Sequence, residues 1–410
     1  MRAPRRTTAV AAAGLSLALA LSGCGSDDET AAADQGAAAL VGPPVRLFTI
    51  QQLTAQNQQS RPEAVSAIEA AVKAVNAEGG LAGRPVEVEV CDDKFSAADG
   101  ANCAREAVSG EFAAVVGSTT AVGDAVYPVL EAAQVPNIGP FAINRGDFSS
   151  EISFPLFGAG PSGTAGLPYA LKEAGAEKIG IAFVDIPTAA VGLTFIAAGA
   201  KGAGIELGNE VPIPLTTTDI TAVVSAAARG NSGIGLVTQP VQTASFLRSH
   251  GAQGLDIPVA ATAAGPVLLE QLGSAAEPLM LASAYAPLNA DVPGMKQFNA
   301  DMDEYAPDAE RSAYAITSWL AVRAVQRIVA DQGLEKIDKA SLMAAFSQAD
   351  GLDLGGVVPK FSTKNALTLK GLNRIFTPYI QILDVKDGEP TAVTGKWFNP
   401  FDPTAPEPEV

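Results

Sequence analysis

One histidine and three cysteines in 410 residues leave little to hold a transition metal. His250 stands far in sequence from Cys91 and Cys103, so that cysteine pair finds no further ligand nearby. H-E-x-x-H, C-x-x-C, Walker A, EF-hand and G-x-S-x-G motifs are all missing, which removes the usual starting points for metallohydrolase, dithiol, nucleotide-hydrolase and serine-hydrolase chemistry. No catalytic residue, metal or cofactor is expected. Basic residues are also scarce: 27 lysines and arginines face 44 carboxylates, a formal net charge of −17. Such a surface repels phosphate backbones, which argues against nucleic acid as a partner. Aromatic residues make up 6 % while Ala and Gly abound, a composition that speaks of genome bias more than of function.

What is present begins at the N-terminus. Arg2, Arg5 and Arg6 precede an almost unbroken apolar run over residues 9–21, too short to span a bilayer comfortably. The run ends in Leu21-Ser22-Gly23-Cys24, which resembles the lipobox of bacterial lipoproteins. That resemblance implies a leader over residues 1–23, cleavage before Cys24, and a diacylglycerol on its thiol. The protein is then exported and held on the outer face of the cytoplasmic membrane. An ordinary secretory signal with an incidental cysteine fits the same residues, and Arg5-Arg6 leaves twin-arginine export open. Loss of the three arginines takes the charge to −20. No later segment approaches about 18 consecutive apolar residues, so the mature chain is expected to be soluble apart from its anchor. Residues 24–44, rich in Asp, Ala and Gly without periodicity, read as a flexible tether. In an oxidising exterior, Cys91 and Cys103 are most simply a disulfide pinning the loop between them, worth roughly 2–3 kcal/mol by chain entropy.

From Val45 onward the pattern is strand, helix, strand. Residues 45–50 read as a strand; Val65, Ile68, Val72 and Val75 then recur at helical spacing until Gly79-Gly80. Residues 84–90 alternate as a half-exposed strand, 101–109 form a helix, and 113–117 an apolar strand, with a helix over 123–133 and a strand over 135–138. The series resumes with strands at 178–185, 205–211, 233–238 and 257–261, separated by helices at 188–202, 220–228 and 241–250. Residues 113–138 and 233–261 run in parallel: apolar strand, Thr-bearing turn, helix, break, strand. Two copies of one unit mean an α/β fold of two similar lobes, with a ligand cleft at the carboxyl ends of the strands.

The order of several fragments is similar to that of type I periplasmic binding proteins, the leucine/isoleucine/valine-binding family. They are Asn76-Ala77-Glu78-Gly79-Gly80-Leu81-Ala82-Gly83-Arg84-Pro85-Val86, Cys91-Asp92-Asp93-Lys94 with a second cysteine at 103, Val116-Gly117-Ser118-Thr119-Thr120, Val135-Pro136-Asn137-Ile138, and Ser312-Ala313-Tyr314-Ala315. The resemblance covers residues 45–398. It implies two Rossmann-like lobes with parallel-type sheets, joined by three crossovers near 154–159, 284–287 and 357–361. One lobe comprises 45–157 with 286–356, the other 158–285 with 357–398, and 399–410 is a tail on the surface. The helix carrying Tyr314 and Trp319 returns to the first lobe, and 365–384 supplies closing strands on the second. The family implies a monomer that closes on a small molecule and delivers it to an ABC transporter permease. A lipoprotein that senses a ligand with the same clamshell and regulates a membrane partner is the alternative.

Site residues follow by position. The family holds a ligand carboxylate at the loop matching Ser118-Thr119-Thr120, which equally caps the next helix. Phe141, Ala142 and Asn144 occupy the corresponding loop after Ile138. On the second lobe Asp185, Thr188, Gln239, Thr262 and Tyr285 fall at strand ends and a crossover. Amino-acid binders of the family place a tyrosine where this chain has Ala189, and an acid where it has Ala264. A buried ammonium without its carboxylate costs several kcal/mol, so the expected ligand carries none. It is neutral or carboxylate-bearing with a sizeable apolar part, and Arg61 and Arg145 lie near enough to add a contact. Gly158-Ala159-Gly160-Pro161-Ser162-Gly163 satisfies G-x-G-x-x-G, yet the preceding 154–157 is broken by Pro155 and makes a poor central strand. His250 reads as a solvent-facing helix end, and Asp301, Asp303 and Glu304 as a solvated helix face.

Overall fold

The computed structural model describes residues 40–54, 60–262 and 264–410, without the side chains of Pro187 and Thr188. The leader, Cys24 and most of the expected tether lie outside the described residues.

Strand β1 (Val45–Gln51) reads Val-Arg-Leu-Phe-Thr-Ile-Gln and is buried except at Arg46, as a central strand covered on both faces must be. Helix α1 (Pro62–Ala77) opens with proline in its first turn and buries Ala64, Ala67, Ile68, Ala71, Val72 and Val75 along one stripe. After β2 (Val86–Asp92) come α2 (Ala97–Ser109), β3 (Ala114–Val116), α3 (Gly123–Ala132), β4 (Asn137–Ile138), α4 (Arg145–Ser149) and β5 (Ser153–Phe154). These five strands form one parallel sheet in the order β2-β1-β3-β4-β5. The Cys91–Cys103 disulfide ties the end of β2 to α2 with Cα atoms 5.6 Å apart, as the cysteine spacing suggests.

Helix α5 (Ala159–Glu173) begins in the G-x-G-x-x-G segment and packs on a second sheet. Gly166 permits that approach, since an added Cβ would lie 2.8 Å from the Ala282 side chain. The second sheet is laid down by β6 (Lys178–Val184), α6 (Pro187–Ala203), β7 (Glu206–Ile213), α7 (Thr221–Ala228), β8 (Gly233–Val237), α8 (Pro240–Ala252), β9 (Val259–Ala261), α9 (Pro266–Leu272) and β10 (Leu279–Ser283). Helices α10 (Pro293–Tyr305), α11 (Ala313–Asp331) and α12 (Lys339–Ser347) follow, with α11 packed on α1 beside the first sheet. Strands β11 (Gln381–Lys386) and β12 (Glu389–Ala392) then extend the second sheet antiparallel to β10, giving β12-β11-β10-β9-β8-β6-β7. The parallel part, β7-β6-β8-β9-β10, repeats the order of the first sheet. The units paired in the sequence, β3-α3-β4 and β8-α8-β9, are therefore equivalent pieces of two like sheets. The outer strands carry breakers: Pro212 with Glu206 and Glu210 on β7, Pro390 on β12, and exposed Glu87 and Glu89 on β2.

Several expectations change. The closing strands begin at Gln381 rather than 365. Residues before them bond to the first sheet: the Arg374 amide donates to the Phe148 carbonyl at 3.1 Å and its Nε to the Ser153 carbonyl at 2.9 Å. The Arg374 guanidinium lies against both the Phe154 and Phe376 rings, and burial pulls its pKa down to about 10. His250 is buried, not solvent-facing, because α8 continues past it and places it on the inward face with Phe246 and Leu247. Burial holds its pKa below the ordinary histidine value. Asp301 is likewise buried: it accepts from Trp319 Nε1 at 2.6 Å and from Arg323 Nη2 at 2.5 Å. Arg323 also donates to Glu78 at 2.6 Å, so one guanidinium bolts α10 and α11 to the end of α1. The tail from 399 lies on the surface but is fastened there, with Phe401 edge-on to Phe195 and the Lys360 amide donating to the Glu409 carbonyl at 3.0 Å.

Candidate ligand cleft

In both sheets the strand order reverses beside the first strand, at β1/β3 and at β6/β8. Chains leaving such a point diverge and leave a crevice outside the carboxyl ends of the strands.

On the first side, Gly117 turns the chain with φ +58°, and a Cβ there would sit 2.8 Å from the Ser318 backbone. Glycine thus lets the chain pass close to α11, whose Ser318 hydroxyl donates to the Gly117 carbonyl at 3.1 Å. Ser118, Thr119 and Thr120 are buried. The Thr119 amide donates to the Ile50 carbonyl at 3.0 Å, and the Thr120 hydroxyl bonds the Asp93 carboxyl. The Ser118 and Thr119 hydroxyls have no hydrogen-bond partner among the described residues. Asn144 donates to the Thr120 carbonyl at 3.1 Å and caps α4 in a reciprocal box with Asp147. Asp147 accepts the Ile143 and Asn144 amides at 2.9 and 3.0 Å and the Tyr127 hydroxyl at 2.7 Å, and full burial pushes its carboxyl up to about 6. The Phe141 amide donates to the Ser118 carbonyl at 2.9 Å, and its ring rests on Tyr314 with centroids 4.7 Å apart. Arg61, buried at the entrance to α1, lies 4.4 Å over the Tyr314 ring and 3.3 Å from Gln239 Oε1. It therefore reaches from the first-sheet side to the second.

The second side is plainer. Thr238 and Thr243 share a hydroxyl bond at 2.7 Å, and Thr262 directly follows β9. Between the two sides lies a cavity of about 220 Å³, walled by Ile143, Phe148 and Tyr314 on one side and Ala189, Gln239 and Thr262 on the other. Its described lining residues carry no charge. An adjoining space of about 100 Å³ gathers Arg61, Glu63 and Glu310, and burial, with Glu63 nearby, holds the Glu310 carboxyl above its ordinary range.

The structure brings Gln239 and Thr262 into the cavity wall and Asn144 into a larger neighbouring space of about 680 Å³. Phe141 reaches the wall through Tyr314, while Ser118, Thr119, Thr120 and Ala142 are buried and are not among the residues lining the cavity. Asp185 is exposed, its amide tied to Ile213. Tyr285 lines a separate space of about 150 Å³ and packs on Phe157. The side chain of Thr188 lies outside those described. Sequence reasoning used Tyr314 as a landmark only and passed over Phe148 and Phe195; the serine cap ahead of α11 was the one local signal for Tyr314. Among the described residues no group of three or more His, Cys, Asp or Glu side chains is placed to hold a metal, and no helix is long and apolar enough to cross a membrane.

A family model described as periplasmic binding protein matches residues 44–370. No curated protein matches the chain. Among solved structures, a branched-chain amino acid ABC transporter protein from Thermus thermophilus with bound valine superposes with a TM-score of 0.74 at 20% identity, over 88% of this chain and 98% of that one. A substrate-binding periplasmic protein from Ralstonia solanacearum gives 0.73 at 16% identity, over 85% of this chain and 99% of that one. A fatty acid ABC transporter substrate-binding protein from Thermomonospora curvata gives 0.70 at 19% identity, over 88% and 93%. At these identities the structural likeness speaks for the fold.

Proposed function

The chain belongs to the periplasmic binding protein family, and from that premise we propose that it is an exported lipoprotein capturing a small molecule between two lobes for an ABC importer. Residues 45–157 with 286–356 act as one lobe and 158–285 with 357–398 as the other. The observation that carries this reading is the cavity between the strand ends of two like sheets, whose described lining residues are all uncharged, with Arg61 beside it reaching Gln239. The ligand is a neutral or carboxylate-bearing molecule with an apolar part, contacted by Gln239, Thr262 and Tyr314. Ala189 in the wall supports this, since a small apolar side chain there offers an ammonium group nothing. The lipid sits on Cys24.

A thermal-shift screen across amino acids, amides and carboxylic acids tests capture: a true ligand at about 100-fold its Kd adds about 2.7 kcal/mol. Small-angle scattering of the hit should show compaction on binding. Calorimetry with leucine against its deaminated acid tests the ligand class. Tight leucine binding with none of the acid overturns that class and points to Glu310 as the ammonium partner. Intact mass of membrane-extracted protein checks the diacylglycerol at Cys24.

A further inference from the structure

The cleft does not end at its neutral chamber. Ile143, Phe148, Val191 and Phe195 line both the cavity of about 220 Å³ and the larger one of about 680 Å³, so the two spaces adjoin along one shared wall and together are called the channel. Together they are of the size that holds a sizeable ligand, for which roughly 300–1,000 Å³ is usual. Phe195 stands at the junction, edge-on to Phe148 on one side and to Phe401 on the other, each at 6.3 Å. Beyond it the outer trough is paved by Leu369, Leu372 and Phe401. Val191 and Leu369 keep 47% and 43% of their surface exposed there, a concentration of bare apolar area in one crevice.

Among the described lining residues the charged ones all belong to the trough. Arg145 and Lys370 line it with Asp124, and neither cation joins an ion pair among the described residues. In a chain of net charge −17, two such cations make a local exception. The described residues lining the inner chamber include no ionised side chain, and the cation beside it is already engaged. Thr164 donates to the Gly160 carbonyl at 2.5 Å, Thr238 is bonded to Thr243 at 2.7 Å, and Arg61 is engaged with Tyr314 and Gln239.

We propose that the channel takes a linear aliphatic carboxylate, lying with its chain between Phe148 and Phe195 and its end in the inner chamber. Its carboxylate meets Arg145 and Lys370 in the outer trough. This rests on the reading of the chain as a solute-binding protein and names the class of solute. The orientation follows from charge: the described residues lining the chamber include no ionised side chain, whereas Arg145 and Lys370 stand exposed on the trough, where a carboxylate keeps part of its water.

Calorimetry of the purified chain with butanoate, hexanoate, decanoate and tetradecanoate, each below its micelle concentration, reads the channel directly. About 0.8 kcal/mol per buried methylene makes Kd fall about fourfold per carbon, and the fall should continue past hexanoate to decanoate. An affinity that levels off at hexanoate overturns the proposal, because the outer trough then plays no part. Arg145→Gln with Lys370→Gln should weaken decanoate by about tenfold or more and leave decanamide unchanged. Equal weakening of both, or of neither, overturns the placement of the carboxylate. All four altered or tested rim positions are exposed, so folding, checked by circular dichroism, should persist; Val191→Ser with Leu369→Ser should reduce decanoate affinity more than hexanoate affinity. Silence toward every carboxylate, with a different solute emerging from the thermal-shift screen, sinks the channel and keeps the solute-binding reading. Silence toward all solutes sinks both.

Discussion

At the ends of the first sheet, polar side chains are bonded mostly to one another. Gln51 donates to Thr49 and to the Gly117 carbonyl, both at 2.8 Å; Asn137 donates to Tyr127 at 2.9 Å; and Asp147 gathers Tyr127 and two amides. At the ends of the second sheet, Ala189, Val237 and Thr262 present small surfaces over an aliphatic cluster of Ile234, Leu236, Leu247 and Val259. The strand order is the same on both sides, so topology does not dictate this contrast. The first side behaves as a fixed anvil whose loops are held by directional bonds. The second is a smooth plate on which side chains can change without stranding a buried polar partner. Selectivity for one solute over another is therefore more easily altered on the second side.

The largest effect that would break this contrast lies in the ion-paired bolt behind the anvil. Arg323→Met leaves Asp301 buried without its cation, and is expected to cost about 3–5 kcal/mol in urea unfolding. A loss below about 1 kcal/mol would show that the polar side is not held by its directional bonds. Next comes pH. The Asp147 carboxyl titrates at about 6 in the folded protein, against about 3.9 in an unfolded chain. Its folded pKa is raised, so its contribution is full below about 4 and is lost as pH rises through about 6, about 3 kcal/mol in all. Unfolding of Asp147→Asn across that window should lack this fall; parallel curves for the two proteins would remove Asp147 from the argument. The disulfide follows: Cys91→Ser with Cys103→Ser should cost roughly 2–3 kcal/mol. The smallest effect sharpens the contrast from the other side. Thr262→Val should leave stability within about 0.5 kcal/mol while shifting the affinity for whichever solute binds.

Much of this architecture was legible in the sequence. The pairing of residues 113–138 with 233–261 reappears as β3-α3-β4 and β8-α8-β9, because strand and helix periods are local properties. The disulfide was legible because cysteine spacing is explicit. Burial of Asp301 was not, since its partner Arg323 is 22 residues away and the second acceptor Glu78 lies 245 residues from that arginine. A carboxylate between Met302 and Ala300 looks solvated until its counter-ion is placed. The cleft wall was hidden for the same reason. Ile143, Phe148, Phe195 and Tyr314 come from a loop and three helices whose convergence no window of sequence contains. Ser118, Thr119 and Thr120 form the loop that position suggested, but they do not line the cavity, and the Phe141–Tyr314 ring contact beside them is recorded by no motif.

The outermost strands carry a consequence for colloidal behaviour. An open sheet edge is a template on which a strand of another copy can grow, and stacking of that kind ends in fibrils. Here Pro390 on β12 and Pro212 on β7 each withdraw an amide from the row a newcomer would need, and the exposed Glu206 and Glu210 on β7 meet any approaching copy with like charge. The first sheet is guarded by Glu87 and Glu89 on β2 and ends on the other side in a β5 of two residues, too short to seed anything. Concentrated solutions of this protein should accordingly stay clear and dye-negative on long storage, and Pro390→Val with Glu389→Val is the change that would turn them cloudy.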